Sequence, residues 1–209
     1  MLIVRDDIIL SRVKSQDIEL IRGWRNSDEV KPYMEYRHEI SSQQQQTWFH
    51  KINNRYNLFF LINVNKEPIG LIFGEGINWE QNVVSNAGIF IASNIHRENQ
   101  FALLASILVN DFAFYIGIQK IFAKILNDNP SAKAYNSLIG YKLLPDQDLN
   151  YNQQYRLCKE DYEQSRKNLS ERIGLRTEFT VLLQNETLSI DFLNVDLTAR
   201  SIIKKSIIE

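Results

Sequence analysis

His38, Glu35 and Glu75 are the side chains in this sequence best suited to take a proton from a reacting group. Histidine is the side-chain type whose ordinary titration range spans neutral pH, whereas a carboxylate needs burial or a charged neighbour to titrate there. A different chemistry resides in Arg97-Glu98-Asn99-Gln100-Phe101-Ala102, which links a strand ending Gly88-Ile89-Phe90-Ile91-Ala92 to a long helix. Unpaired backbone N–H groups at a helix N-terminus, reinforced by the helix dipole, bind phosphate and pyrophosphate. Glu98 must then point to solvent, because a carboxylate repels a bound phosphate. Trp24 and Trp48 fill a core or wall a pocket for a planar ring, and Arg25 pairs with a phosphate or with a surface carboxylate. Cys158 reads as an inert core thiol. His38, His50, His96 and Cys158 lie far apart without metal-ligand spacing, so no metal site is expected.

These groups need a scaffold, and the apolar periodicity describes one. Residues 8–13 read as a first strand. Ser15 is placed to cap a helix with Ile18, Ile21 and Trp24 on its apolar face. Asn26-Ser27-Asp28 interrupts it, and a short helical turn follows to about Met34. Ser41-Ser42-Gln43-Gln44 fits a capping box opening a second helix with Trp48, Phe49 and Ile52. Residues 58–64 and 69–75 form a hairpin turned at Asn65-Lys66-Glu67-Pro68, and residues 83–92 form another strand. From Phe101 the apolar residues step by three or four through Leu104, Ala105, Leu108, Phe112 and Tyr115, the helical period. Residues 120–126 are a strand. Asn129-Pro130-Ser131 opens a helix that Gly140 ends. Two short strands and a helix over 160–170 follow. The stretch 171–209 holds two apolar runs, 179–183 and 188–197, and a final segment 201–209.

The order strand, two helices, hairpin, strand, long helix, strand, helix, hairpin resembles the GNAT N-acyltransferase superfamily over residues 8–168. The likeness is carried by Gly88–Ala92 with Arg97–Ala102, by Lys120–Leu126 with Asn129-Pro130-Ser131-Ala132 and Gly140-Tyr141, and by Ile21-Arg22-Gly23-Trp24-Arg25-Asn26 with Ile40-Ser41 and Trp48-Phe49. The last of these is most similar to enzymes acting on nucleotide-linked amino sugars, such as the N-acetyltransferases of pseudaminic-acid synthesis. It is similar more loosely to enzymes acetylating ribosomal-protein N-termini. The resemblance implies an α/β (α+β) fold: a central mixed, mostly antiparallel sheet with helices on both faces. It implies a domain over 1–168 and an extension over 169–209 that adds a strand or a dimer contact.

The resemblance also implies roles. Acetyl-CoA is the expected co-substrate, with its pyrophosphate on the 97–102 loop. There Arg97 and Ala102 match the family's first and last loop positions, while Gln100 stands where a glycine is usual and Glu98 where one is common. Asn129 and Ala132 are expected beside the pantetheine arm. A backbone N–H on the 88–92 strand, near Ile91 and with Ile89 beside it, is expected to polarise the thioester carbonyl. The family's proton donor to the thiolate is a tyrosine seven residues after the asparagine. Here Asn136 holds that position and Tyr135 precedes it, about 100° away around the helix. Tyr135, Asn136 or water is then the donor. His38, Glu35 and Glu75 are the candidate bases, and Trp24, Arg25 and Glu35 are expected on the acceptor side. A histidine often precedes the Trp-Phe pair by three positions in the sugar-acting subgroup; Gln45 stands there.

The chain of 209 residues is 44% apolar with a net charge of −1 and a single cysteine, which excludes an internal disulfide framework and a basic nucleic-acid footprint. No apolar run approaches a membrane span, and no signal-peptide pattern opens the chain, so a cytoplasmic protein acting on a small-molecule amine is expected. The 188–197 run needs a strand partner, in this sheet or in a second copy, which makes a homodimer an expectation. Three readings stand: acetylation of a nucleotide amino sugar or similar small amine by direct attack; acetylation of a protein N-terminus or an aminoglycoside; or a GNAT-fold binding module without catalysis.

Overall fold

The computed structural model describes residues 1–97 and 99–208. It opens with a hairpin, β1 (Leu2–Arg5) and β2 (Ile8–Arg12), turned by Asp6 at φ +50°. The sequence pattern shows only the second of these strands, because Leu2-Ile3-Val4 is too short to display alternation. A 3-10 turn over Ser15–Asp17 leads into α1 (Ile18–Asn26). Ser15, the cap expected from the sequence, lies inside that turn; the Asp17 carboxylate instead accepts from the Lys14 N–H at 2.8 Å. The helical turn expected up to Met34 reduces to a 3-10 turn, Lys31–Tyr33, around Pro32. α2 (Ser42–Ile52) starts with the reciprocal box read from the sequence. Ser41 Oγ accepts from the Gln44 N–H at 3.2 Å and Gln44 Oε1 accepts from the Ser41 N–H at 2.8 Å.

β3 (Asn57–Val64), β4 (Glu67–Asn78) and β5 (Val83–Ile91) form a meander. A short turn, α3 (Asn94–Arg97), and the long α4 (Phe101–Tyr115) carry the chain to β6 (Lys120–Leu126), which pairs parallel to β5. α5 (Pro130–Ile139), β7 (Lys142–Leu143), β8 (Asn152–Cys158) and α6 (Lys159–Ile173) follow. The chain closes with β9 (Glu178–Leu182), β10 (Thr187–Asp191) and α7 (Leu197–Ile208). The ten strands form one sheet in the order β10-β9-β1-β2-β3-β4-β5-β6-β8-β7. All its pairs are antiparallel except β5–β6, where the α4 crossover forces parallel pairing.

The sheet is covered on both faces, as the central strand shows: Leu58 to Ile62 are all buried, so neither face of β3 meets water. One face packs under α1 and α2 through Ile18, Ile21, Phe49 and Ile52 against Phe59, Leu61 and Leu71. The other packs under α4 through Ala105, Leu108 and Phe112, and this second core continues into residues 179–207. β9 pairs with β1 through Ile3↔Val181, so the tail extends this chain's own sheet. β10 is shorter than the 188–197 run. The Asp191 carboxylate accepts from the Leu193 N–H at 3.0 Å and from Asn194 Nδ2 at 2.6 Å, which turns the chain before α7.

An ion cluster ties tail to domain. Asp111 of α4, fully buried, accepts from Arg166 Nε at 2.7 Å and Nη2 at 2.9 Å, from Arg5 Nη2 at 2.5 Å and from the Tyr162 hydroxyl at 2.6 Å. Arg166 also donates to the Arg176 carbonyl and Arg5 to that of Glu178. Burial, and then the charge of Asp111, hold the Tyr162 phenol well above its ordinary range.

Candidate active site

The feature that organises the site is where the sheet comes apart. β5 and β6 pair at Val83–Lys120 and Val84–Ile121 and, past an irregularity, at Ala87–Ala123, and pairing stops there. Beyond it, residues 88–91 remain paired with β4 only. The Ala92 N–H donates to the Ile69 carbonyl on β4, so by strand alternation the N–H groups of Ile89 and Ile91 face the opposite, open side. Ile89 borders a cavity of about 650 Å³ there, with Lys124, Ile125 and Leu126 of β6 across from it.

The cavity reaches from this gap to the underside of α1 and α2. Its floor is aromatic. Phe59 and Phe73 stack with centroids 4.9 Å apart, and Trp48 meets Phe59 edge-on at 5.3 Å. Gly88 permits the arrangement, since a Cβ there would lie 2.6 Å from the Phe73 ring. Glu75 on β4 sits opposite Asn86 on β5 and accepts from its Nδ2 at 3.3 Å, and both line the cavity. Arg25 of α1 and Lys124 of β6 bring positive charge to it, and Glu35 joins Glu75 on the negative side. Arg25 makes no hydrogen bond or ion pair among the described residues, and its Nε is buried without a partner. Burial lowers its pKa from the ordinary arginine value.

On the far wall stand Asn129, Ala132, Tyr135 and Asn136. Asn129 caps α5, its Oδ1 accepting from the Ala132 N–H at 3.0 Å, with Pro130 in the first turn. Gly140 ends the helix at φ +108°. Asn136 donates its Nδ2 to the Ala132 carbonyl at 2.8 Å. The Tyr135 hydroxyl lies 2.7 Å from the Ala102 carbonyl and 2.6 Å from Ser106 Oγ, so its proton bridges α5 to α4 and does not face the cavity as a free acid. Burial raises its pKa strongly.

The loop before α4 departs from an open phosphate cradle. Arg97 donates to the carbonyls of Glu29 and Ile91 and to Asn94 Oδ1, and its guanidinium lies 5.2 Å over the Tyr33 ring. It therefore fastens the loop to the segment after α1. The side chain of Asn99 donates to the Ile95 carbonyl. Gln100 precedes α4 without capping it by its side chain, and among the described residues nothing accepts from the N–H groups of Phe101 and Ala102. Those amides and the helix dipole suit a pyrophosphate. Glu98 lies outside the described residues.

Other expected site residues sit elsewhere. His38 is exposed and meets Tyr36 edge-on at 5.5 Å; Tyr36 lines the cavity, but His38 itself does not. Trp24 packs edge-on against Phe90 at 6.3 Å as part of the core under α1. Ile91 is buried in the α4-side core and does not line the cavity, whereas Asn86 through Phe90 of the same strand, Ile89 among them, do. Gln45, Lys124, Asn86 and Phe73 line the cavity without having been expected there. Strand register is the signal that reaches Asn86 and Phe73, since they stand opposite Glu75 and Gly88. Among the described residues no cluster of His, Cys, Asp and Glu is placed to hold a metal, and no helix is long and apolar enough to cross a membrane.

A mixed sheet that opens between two parallel neighbours, with a helix N-terminus beside the gap and a cavity of about 650 Å³ beyond it, suits a reaction whose substrate brings a phosphate to the helix and a second group to the cavity. Residues 10–156 match the model of the acetyltransferase (GNAT) domain, and the chain belongs to that family; it is an acyl-CoA-dependent N-acyltransferase. No curated protein matches it in sequence. Among solved structures it is similar to the spermidine N-acetyltransferase of Vibrio cholerae in complex with CoA and spermine, at 18% identity and TM-score 0.65, covering 76% of this chain and 99% of that one. It is similar to a domain from Methanocaldococcus jannaschii at 17% identity and TM-score 0.63, covering 72% and 97%. An uncharacterised Bacillus halodurans protein follows at 10% identity and TM-score 0.67, covering 79% and 91%. Identities this low speak to the shared fold.

Proposed function

We propose that the chain transfers the acetyl group of acetyl-CoA, in the cytoplasm, to the amine of a nucleotide-linked amino sugar. The observation that carries the acceptor class is Arg25, a partly buried guanidinium without a protein partner on the cavity wall. A buried charge is tolerated when a ligand completes it. A polyamine would leave Arg25 unpaired and add positive charge beside it. The aromatic floor of Trp48, Phe59 and Phe73 supplies a surface for a planar base or a sugar face.

Acetyl-CoA supplies an activated thioester, and the residues do the rest. The amides of Phe101 and Ala102 hold the pyrophosphate. The Ile89 N–H meets the negative charge that develops on the acyl oxygen. Glu75, positioned by Asn86, accepts the amine proton directly or through a water. Tyr135 braces α4 against α5, and the departing thiolate takes its proton from water. The exposed β10 edge, beside exposed Leu193, Val195 and Leu197, supports reading that end of the sheet as the contact between two copies.

A second reading has its own observation. Glu35 and Glu75 also line the cavity, and two carboxylates suit a polyamine. The test is acetyl transfer, followed by release of free thiol, with a UDP-linked amino sugar, spermidine and an N-terminal peptide side by side. The amino sugar should exceed spermidine in kcat/KM by at least about 100-fold, close to 3 kcal/mol of discrimination. Spermidine as the better substrate would overturn the proposal in favour of the second reading.

A further inference from the structure

We propose that Gln45, with Arg25, forms a subsite for an anionic oxygen of the acceptor, a phosphate or a carboxylate. The inference rests on the acetyltransferase reading above and names what that cavity recognises.

Gln45 is 3% exposed, yet its side chain makes no hydrogen bond among the described residues, and its Nε2 is buried without a partner. The residue lines the acceptor cavity. Its place in the helix makes this unusual. The buried residues of α2 are Gln45, Phe49 and Ile52, an i, i+4, i+7 stripe in which an apolar side chain would pack without penalty. A carboxamide there loses its hydration and receives no hydrogen bond in return. Native structures leave few buried polar groups unpaired, and those that remain mark a role or a missing ligand.

The second unpaired group lies on the neighbouring helix. Arg25 Nε is buried without a partner on α1, which packs directly on α2, and both residues line the same cavity. Gln45 Nε2 and Arg25 Nε are both donors. Two unmet donors, one of them cationic, call for acceptor oxygens carrying negative charge. The other charged groups around the cavity do not meet that demand. Glu75 is engaged with Asn86, Glu35 lies in the exposed segment after the Lys31–Tyr33 turn, and Lys124 adds a further positive charge across the gap. On this assignment the acceptor's amine is met by Glu75 and its anionic group by Gln45 and Arg25, under α1 and α2.

The test compares ligands that share one amine and differ in one group: glucosamine, glucosamine 6-phosphate and glucosaminuronic acid, with spermidine as the cationic control. Dissociation constants are measured calorimetrically at saturating CoA, so that the α4 amides are already filled. The chain should bind the phosphate or the carboxylate sugar at least about 10-fold more tightly than glucosamine, and which of the two it prefers identifies the oxyanion. Gln45→Met, matched in size, should remove at least about fivefold of that advantage, and Arg25→Met more. Equal binding of the three sugars, tightest binding of spermidine, an absence of sugar binding, or an undiminished advantage in Gln45→Met would each overturn the subsite. Thermal denaturation with acetyl-CoA on the same variants reports fold and cofactor binding separately. Loss of that shift in the unaltered chain would strike the acetyltransferase reading itself; its retention beside a failed sugar comparison would strike only the subsite.

Discussion

Replacing Asp111 by asparagine preserves the side chain's shape and removes its charge. The structure sets the magnitude. Arg5 and Arg166 are left with side chains 6% and 5% exposed and no neutralising partner, since both pair with Asp111. Breaking a buried ion pair from one side costs about 3–5 kcal/mol, because the remaining charge stays desolvated. For a chain of 209 residues the unfolding entropy is about 0.44 kcal/mol/K, so the melting temperature should fall by about 7–11 °C. Differential scanning calorimetry reads this directly. The pair of half-buried Lys159 and exposed Glu163, at 3.6 Å on the surface of α6, provides the control, and Glu163→Gln should shift melting by no more than about 2 °C. The cluster also joins β1, α4 and α6 to the carbonyls of Arg176 and Glu178, so limited proteolysis of Asp111→Asn should cut first within 174–209. A melting shift no larger than that of the control, with an unchanged cleavage pattern, would refute the assignment of Asp111 as the anchor of the tail.

Tyr135→Phe removes a brace between helices and leaves the chemistry: stability should fall by about 1 kcal/mol while turnover stays within about twofold, read by denaturant titration and thiol release. Turnover slowed by a factor of about 100 or more would make the phenol a general acid. Gly88→Ala forces the Phe73 ring aside, because the added Cβ would lie 2.6 Å from it; the acceptor's KM should rise by about 10-fold with the acetyl-CoA melting shift preserved. A chain ending at residue 170 loses Phe179, Val181, Ile190 and Ile203 from the core and uncovers the β1 edge, so it should show no cooperative thermal transition by circular dichroism. A soluble, cooperatively melting truncation would show the tail to be dispensable for folding.

Much of this architecture is visible in the residues alone, wherever the determinant is local. The Ser41–Gln44 box, the Asn129 cap with Pro130, the end at Gly140 and the three-and-four stepping of α4 are written within one or two turns of chain, and the structure forms each of them. The element order over 8–168 and the long crossover helix are legible in the same short-range periodicity, and it is the local sequences at 21–26, 88–102 and 120–141 that carry the resemblance to the family. The site is a different matter. Arg97 has the type expected of a phosphate ligand, yet the fold commits it to the Glu29 and Ile91 carbonyls, because the segment after α1 lies within reach. His38 has a suitable functional group, but its loop leaves it exposed and outside the cavity lining. Tyr135 has the right group, but α4 approaches closely enough for the Ala102 carbonyl to accept its hydrogen bond. Gln45 looks like one glutamine in a polar run until α1 and the sheet enclose it. Periodicity and capping depend on neighbours a few residues apart, which the sequence states outright. Whether a polar group is free to act depends on which distant backbone or side chain fills its hydrogen bonds, and that was decided only when β5 parted from β6 and α1 and α2 closed over the gap.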